Sequence, residues 1–277
     1  MQTFVPPLDK PLSAMEAPDS LGGVRAEIDR IDDAVLDLLQ RRMALAATIG
    51  SLKTSGQVDA LKLRPDREAA VISRLLRHAD PPNRRLALGV WREIMAAGLA
   101  RQGALEVLVW GGSDPALVLD AARRRFGSSP TYRVVETPGE ALSAAATQNV
   151  IGVLALDSGN AWWTRLAAQY RDLWVFESID AIRGSSTPQA LAVARIDPEA
   201  LAGGRTFVIS AGGDAGGGER ARRLLGMEEG WRFYAVDREA GEISAMDRYR
   251  GVIGRAPVFS LSEDELAKPD AGLGALT

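Results

Sequence analysis

The 277-residue sequence has no cysteine and a single histidine, His78. Without cysteine there is no disulfide scaffold, no thiolate nucleophile and no cysteine-ligated zinc. One histidine argues against Ser-His-Asp chemistry and multi-histidine metal sites, so no metal and no cofactor is expected. His78 itself reads as structural or solvated. Aromatic residues are few, at 6%, and no strongly basic patch accompanies them, so no nucleic-acid partner is expected. No apolar run approaches the roughly 20 residues that a membrane span requires, so no membrane partner is expected either. The first twenty residues hold four prolines and lack a basic-then-apolar signal pattern. They read as a disordered tail, residues 1–20, on a soluble, cytoplasmic protein.

What remains is a chain long enough for about two domains, each with its own core. Charge divides them. Residues 21–102 carry 14 Lys and Arg against 10 Asp and Glu, whereas the rest of the chain is net acidic. Such a modest positive excess suits a small anionic ligand.

Residues 21–103 read as helix. Val24, Ile28, Ile31, Val35, Leu38, Leu45, Ile49 and Leu52 recur three or four apart, the spacing of one helical face. The expected helix, residues 23–56, is about 45 Å long and needs partners along its length. Pro65 opens a second helix to about His78. After the break at Asp80–Asn83 a third helix runs from about Arg84 to Gln102. Beyond residue 104 the rhythm changes to short apolar runs at residues 106–110, 132–136, 150–156, 172–176, 190–196 and 206–210. Helical stretches alternate with them, which predicts an α/β domain, residues 104–265, with a mostly parallel sheet. Past Gly230 the signal weakens, and residues 266–277 read as a loose terminus.

Polar residues interrupt the helical stripes. Arg42 falls where the first helix expects an apolar residue before Leu45. Glu68 shares a face with Ile72 and Leu75. Ala87, Trp91, Ile94 and Gly98 lead to Gln102. Isolated charges on buried faces cost several kcal/mol unless partnered, so a cation, an anion and an amide together point to a polar pocket. Each taken alone is also compatible with snorkelling or a simple ion pair. Arg25 and Lys53 lie four heptads apart, on nearly one face but about 42 Å distant. One chain cannot bring both to one small ligand. Antiparallel pairing of two copies can, which predicts a homodimer with Arg25 donated to the neighbour's site.

Arg25, Arg42 and Lys53 on the first helix, RPDRE at Arg64–Glu68 and IMAAGLARQ at Ile94–Gln102 together resemble the all-helical chorismate mutase family. The resemblance spans about 85 residues. It implies an intertwined three-helix dimer that rearranges chorismate to prephenate with no cofactor and no covalent intermediate. By position, Arg25 corresponds to the arginine given across the dimer, and Arg42 to the one gripping a substrate carboxylate. Lys53 serves a carboxylate and the ether oxygen, and Arg67 and Glu68 match an Arg-Glu pair whose glutamate takes the substrate hydroxyl. Gln102 matches the ether-oxygen amide, and Gly98 stands where some members have a small hydroxyl residue. Arg64 departs from the pattern, since some members carry an aspartate there.

The helical-then-α/β order also resembles bifunctional chorismate mutase–prephenate dehydratases, which implies a periplasmic-binding-protein-like second domain. Here Ala155, Leu156, Asp157, Ser158 and Gly159 replace a Pro-Ile-Glu-Asn-Ser run, and Arg205, Thr206, Phe207 replace a Thr-Arg-Phe motif. The expectation is therefore a dehydratase-like domain without dehydratase activity, with Asp157, Ser158 and Thr206 as candidate ligand contacts. The glycine-rich stretch at residues 210–220 reads as a flexible loop or an anion-holding turn. Two alternatives stand beside the mutase: a true bifunctional enzyme, and a non-catalytic sensor of aromatic-pathway metabolites.

Overall fold

The computed structural model describes residues 20–52, 63–147, 149–157, 159–179, 188–211, 222–228, 230–238 and 252–257. The expected tail, apart from Ser20, lies outside these residues. So do Lys53, Ser158, residues 212–220 of the glycine-rich stretch, and the expected loose terminus.

Three helices come first. Helix α1 spans Leu21–Leu52, α2 spans Pro65–His78 and α3 spans Arg84–Ala100, close to the boundaries read from periodicity. Ser20 caps α1, its hydroxyl accepting from the Gly23 amide at 3.1 Å. Pro65 opens α2, where a missing N–H costs nothing. The C-terminal half of α1 packs on α3, and α2 packs on α3 as well. The α1 stripe is left uncovered, with Ile28, Ile31, Val35, Leu38, Leu45 and Ile49 between 43% and 65% exposed.

Among the described residues the second domain forms one nine-stranded sheet: β1 (Glu106–Trp110), β2 (Thr131–Val134), β3 (Val150–Ala155), β4 (Leu173–Ile179), β5 (Ala190–Arg195), β6 (Gly204–Ala211), β7 (Arg222–Glu228), β8 (Trp231–Arg238) and β9 (Val252–Ala256). Helices α4 (Pro115–Phe126), α5 (Pro138–Ala145) and α6 (Trp162–Ala168) lie between the early strands. The spatial order is β2-β1-β3-β5-β4-β9-β6-β8-β7. The expectation of a mostly parallel sheet is corrected here. Among the described residues β1–β2, β1–β3 and β4–β9 run parallel, and the other five pairings are antiparallel. The reason is the connections: α4 and α5 supply the crossovers that parallel neighbours need, but β5 folds back between β3 and β4.

Its core is apolar and continuous. Trp162 is fully buried and donates to the Ala155 carbonyl at 2.8 Å. Trp163 stacks on Phe233 with ring centroids 5.4 Å apart. Leu63, just before α2, is buried in this same core. Gly127, at φ +74°, ends α4 so close to α3 that a Cβ there would meet Ala96 Cβ at 2.7 Å. Glu93 on α3 accepts from the Ser128 amide at 2.9 Å and its hydroxyl at 3.1 Å. The helical and α/β domains are therefore joined by packing as well as by chain. Among the described residues no helix is long and apolar enough to cross a membrane.

Candidate active site

Arg42 projects from α1 onto α3. Its Nη1 donates to the Ile94 carbonyl at 3.2 Å, and partial burial holds its pKa below the ordinary arginine value. Among the described residues no carboxylate pairs with it. A half-buried cation served only by a carbonyl is suited to an incoming anion, because desolvation strengthens the attraction that an anion would restore.

Gly98 is buried beside it. A Cβ on Gly98 would lie 3.6 Å from both Arg42 Nη1 and Ala46 Cβ, so the missing side chain leaves room next to the guanidinium. One turn on, Gln102 donates from Nε2 to the Gly98 carbonyl at 3.3 Å. The α1–α3 contact thus sets Arg42 beside Gly98, and a bond within one turn ties Gln102 to the Gly98 carbonyl.

Other candidates sit elsewhere. Arg25 is exposed near the start of α1, and Arg67 is exposed on α2. Lys53 lies outside the described residues. Arg64 is engaged locally, donating to Asp66 at 2.7 and 3.0 Å. Burial alone would raise the Asp66 pKa, but the Arg64 bond and the Arg67 amide outweigh it and hold the carboxyl below its usual value. His78 is exposed, its Nδ1 bonded to the Arg74 carbonyl at 2.7 Å, in keeping with a structural reading.

Glu68 has a partner that the sequence reading did not assign. Arg125 of α4 donates from Nη2 to Glu68 Oε2 at 3.0 Å, and its Nε donates to Glu177 of β4. Arg125 was overlooked inside the run Arg123–Arg125, which looks like a solvated helix end. The signal was its spacing, four residues past Ala121 and seven past Val118, both buried on the face of α4 that meets the sheet.

In the second domain the candidate contacts have partners within the chain. Asp157, after β3, accepts from the Ser113 amide at 2.8 Å. Gly112, at φ +58°, permits this approach, since a Cβ there would stand 2.6 Å from the Asp157 Oδ2. Buried Thr206 accepts from Arg255 at 3.3 Å.

Residues 24–103 match the family model for chorismate mutase type II. The helical segment belongs to that family. The chain also matches curated relatives. A bifunctional chorismate mutase/prephenate dehydratase from Stutzerimonas stutzeri is 29% identical over 147 residues, covering 50% of this chain and 40% of the relative. Enzymes of the same name match from Pseudomonas aeruginosa, 28% identical over 140 residues, and Aquifex aeolicus, 29% over 124. These cover 49% and 43% of this chain, and 37% and 33% of the relatives. The matched part of the chain thus spans well under half the length of these relatives. No solved structure matches the chain significantly.

Proposed function

We propose that the chain catalyses the rearrangement of chorismate to prephenate, in a homodimer whose two sites each take Arg25 from the neighbouring chain. The observation that carries this reading is Arg42, a half-buried guanidinium with no carboxylate partner among the described residues, beside Gly98 and Gln102 in a mutase-family domain. The exposed apolar stripe of α1 supports the dimer, because a second copy of that stripe is the cover its length and chemistry fit.

Chorismate carries two carboxylates and a flexible enolpyruvyl arm. Planar arginines grip carboxylates with two parallel hydrogen bonds. Arg42, with Arg25 from the partner chain and Arg67, would hold both anionic ends so that the arm lies over the ring. Fixing that geometry removes much of the entropic barrier. As the ether bond breaks, negative charge grows on its oxygen, and Lys53 and Gln102 act there as preorganised donors. Glu68 accepts the ring hydroxyl. No proton transfer is required, which suits a chain with one histidine.

The α/β domain in this reading is dehydratase-like in descent and performs no dehydration. Asp157, itself an anion, holds the Ser113 amide at the β1–α4 turn, and Thr206 is tied to buried Arg255. The second reading, a bifunctional enzyme, is favoured by the names of the relatives, whose alignments cover more residues than the mutase match alone. One assay separates them. Purified full chain is given chorismate, its loss is followed by absorbance, and prephenate and phenylpyruvate are quantified at the end point. Prephenate without phenylpyruvate is expected. Both products together would establish the bifunctional enzyme, and no consumption by folded protein would leave the metabolite sensor.

A further inference from the structure

Arg125 sits 13% exposed by side chain and bridges two carboxylates from separate domains. Glu68 comes from α2 of the mutase domain. Glu177 comes from β4, is 3% exposed, and lies where the β4–β5 register shifts between Val175 and Glu177. Burial by itself would lower the Arg125 pKa, but the charges of Glu177 and Glu68 override it and raise it. A single carboxylate would neutralise a buried guanidinium. A second, brought from the neighbouring domain, means that the arrangement also fixes where Glu68 stands. The backbone around it is held as firmly: Gly127 abuts Ala96, and Glu93 grips Ser128. Arg125 takes only the Oε2 oxygen of Glu68. Among the described residues Oε1 accepts no hydrogen bond, which leaves it for a ligand hydroxyl.

We propose that Arg125 is a positioning residue for the mutase site, held by Glu177 and holding one oxygen of Glu68 so that the other meets the substrate hydroxyl. The α/β domain is then a working part of the mutase, whatever ligand it binds for itself. This rests on the mutase reading of Glu68. It extends that reading, since it places a residue of the second domain behind the first domain's chemistry.

The test is a double-mutant cycle on the full chain: wild type, Arg125→Met, Glu68→Ala and the double variant, each with kcat, KM for chorismate and a thermal midpoint. Arg125→Met is expected to lower kcat/KM about tenfold in the wild-type chain and less than about twofold when Glu68 is already alanine, because Arg125 acts through Glu68. If Arg125→Met does not fold, Glu177→Gln replaces it. That variant leaves Arg125 and Glu68 in place, and an approximately threefold loss is expected that vanishes when Glu68 is alanine. Losses that simply multiply, or a lowered thermal midpoint with unchanged kinetics, would overturn the coupling and leave the mutase intact. A folded wild-type chain that does not consume chorismate would overturn the mutase reading and this inference together.

Discussion

Replacing Arg42 by alanine is expected to lower kcat/KM for chorismate by about a thousandfold, the scale of losing a preorganised charge contact in a dry site. Stability should barely change. The variant loses one hydrogen bond to the Ile94 carbonyl, worth about 1 kcal/mol net, and is relieved of a half-buried cation that has no carboxylate partner among the described residues. Arg42→Lys should recover little, because an ammonium cannot reproduce the planar two-pronged grip. Steady-state kinetics with a thermal midpoint for each variant checks this. A tenfold loss or less, in a protein that still melts normally, would mean that Arg42 is a packing residue and no clamp.

The second large effect belongs to the apolar face of α1. Val35 is 49% exposed and lies near the midpoint of the 32-residue helix. In an antiparallel pair of α1 helices, residues near the midpoint meet their own copies across the two-fold axis. Val35→Glu therefore sets two like charges together in an apolar seam and should yield a monomer. In the isolated chain the position faces solvent, so the fold itself should tolerate the glutamate. Activity should fall at least about a hundredfold, since the partner's arginine leaves the site. Size-exclusion chromatography with light scattering, run beside the chorismate assay, reads both. An active monomer would contradict the shared site.

The helical domain was legible because its information is local. The three-and-four spacing of α1, Pro65 at the start of α2 and the break at Asp80–Asn83 each act within a few residues. Arg42, Glu68 and Gln102 could be singled out because periodicity marks each as polar on a face expected to be apolar. Strands β7, β8 and β9 were not legible, although β6 was read at residues 206–210. The insertion of β9 between β4 and β6 is a pairing of distant segments, and β7 is interrupted at Gly226, where its register against β8 shifts. Helix α6 was missed for a related reason: seven residues are too few to display a period. The tie from Glu68 to Arg125 spans 57 residues and two domains. Helical spacing could mark Arg125 as inward-facing, but only the tertiary packing that brings α4 and α2 both against α3 names its partner.

The central claim, one mutase site built from two chains, is tested most directly by mixing two inactive variants. Arg25→Ala and Arg42→Ala subunits are prepared separately, unfolded together in equal amounts and refolded, and chorismate turnover is measured. In a mixed dimer one site has both arginines and the other has neither. Random pairing should then restore about one quarter of wild-type turnover, against almost none in either parent refolded alone. A mixture no more active than its parents, though dimeric, would contradict an arginine shared across the interface.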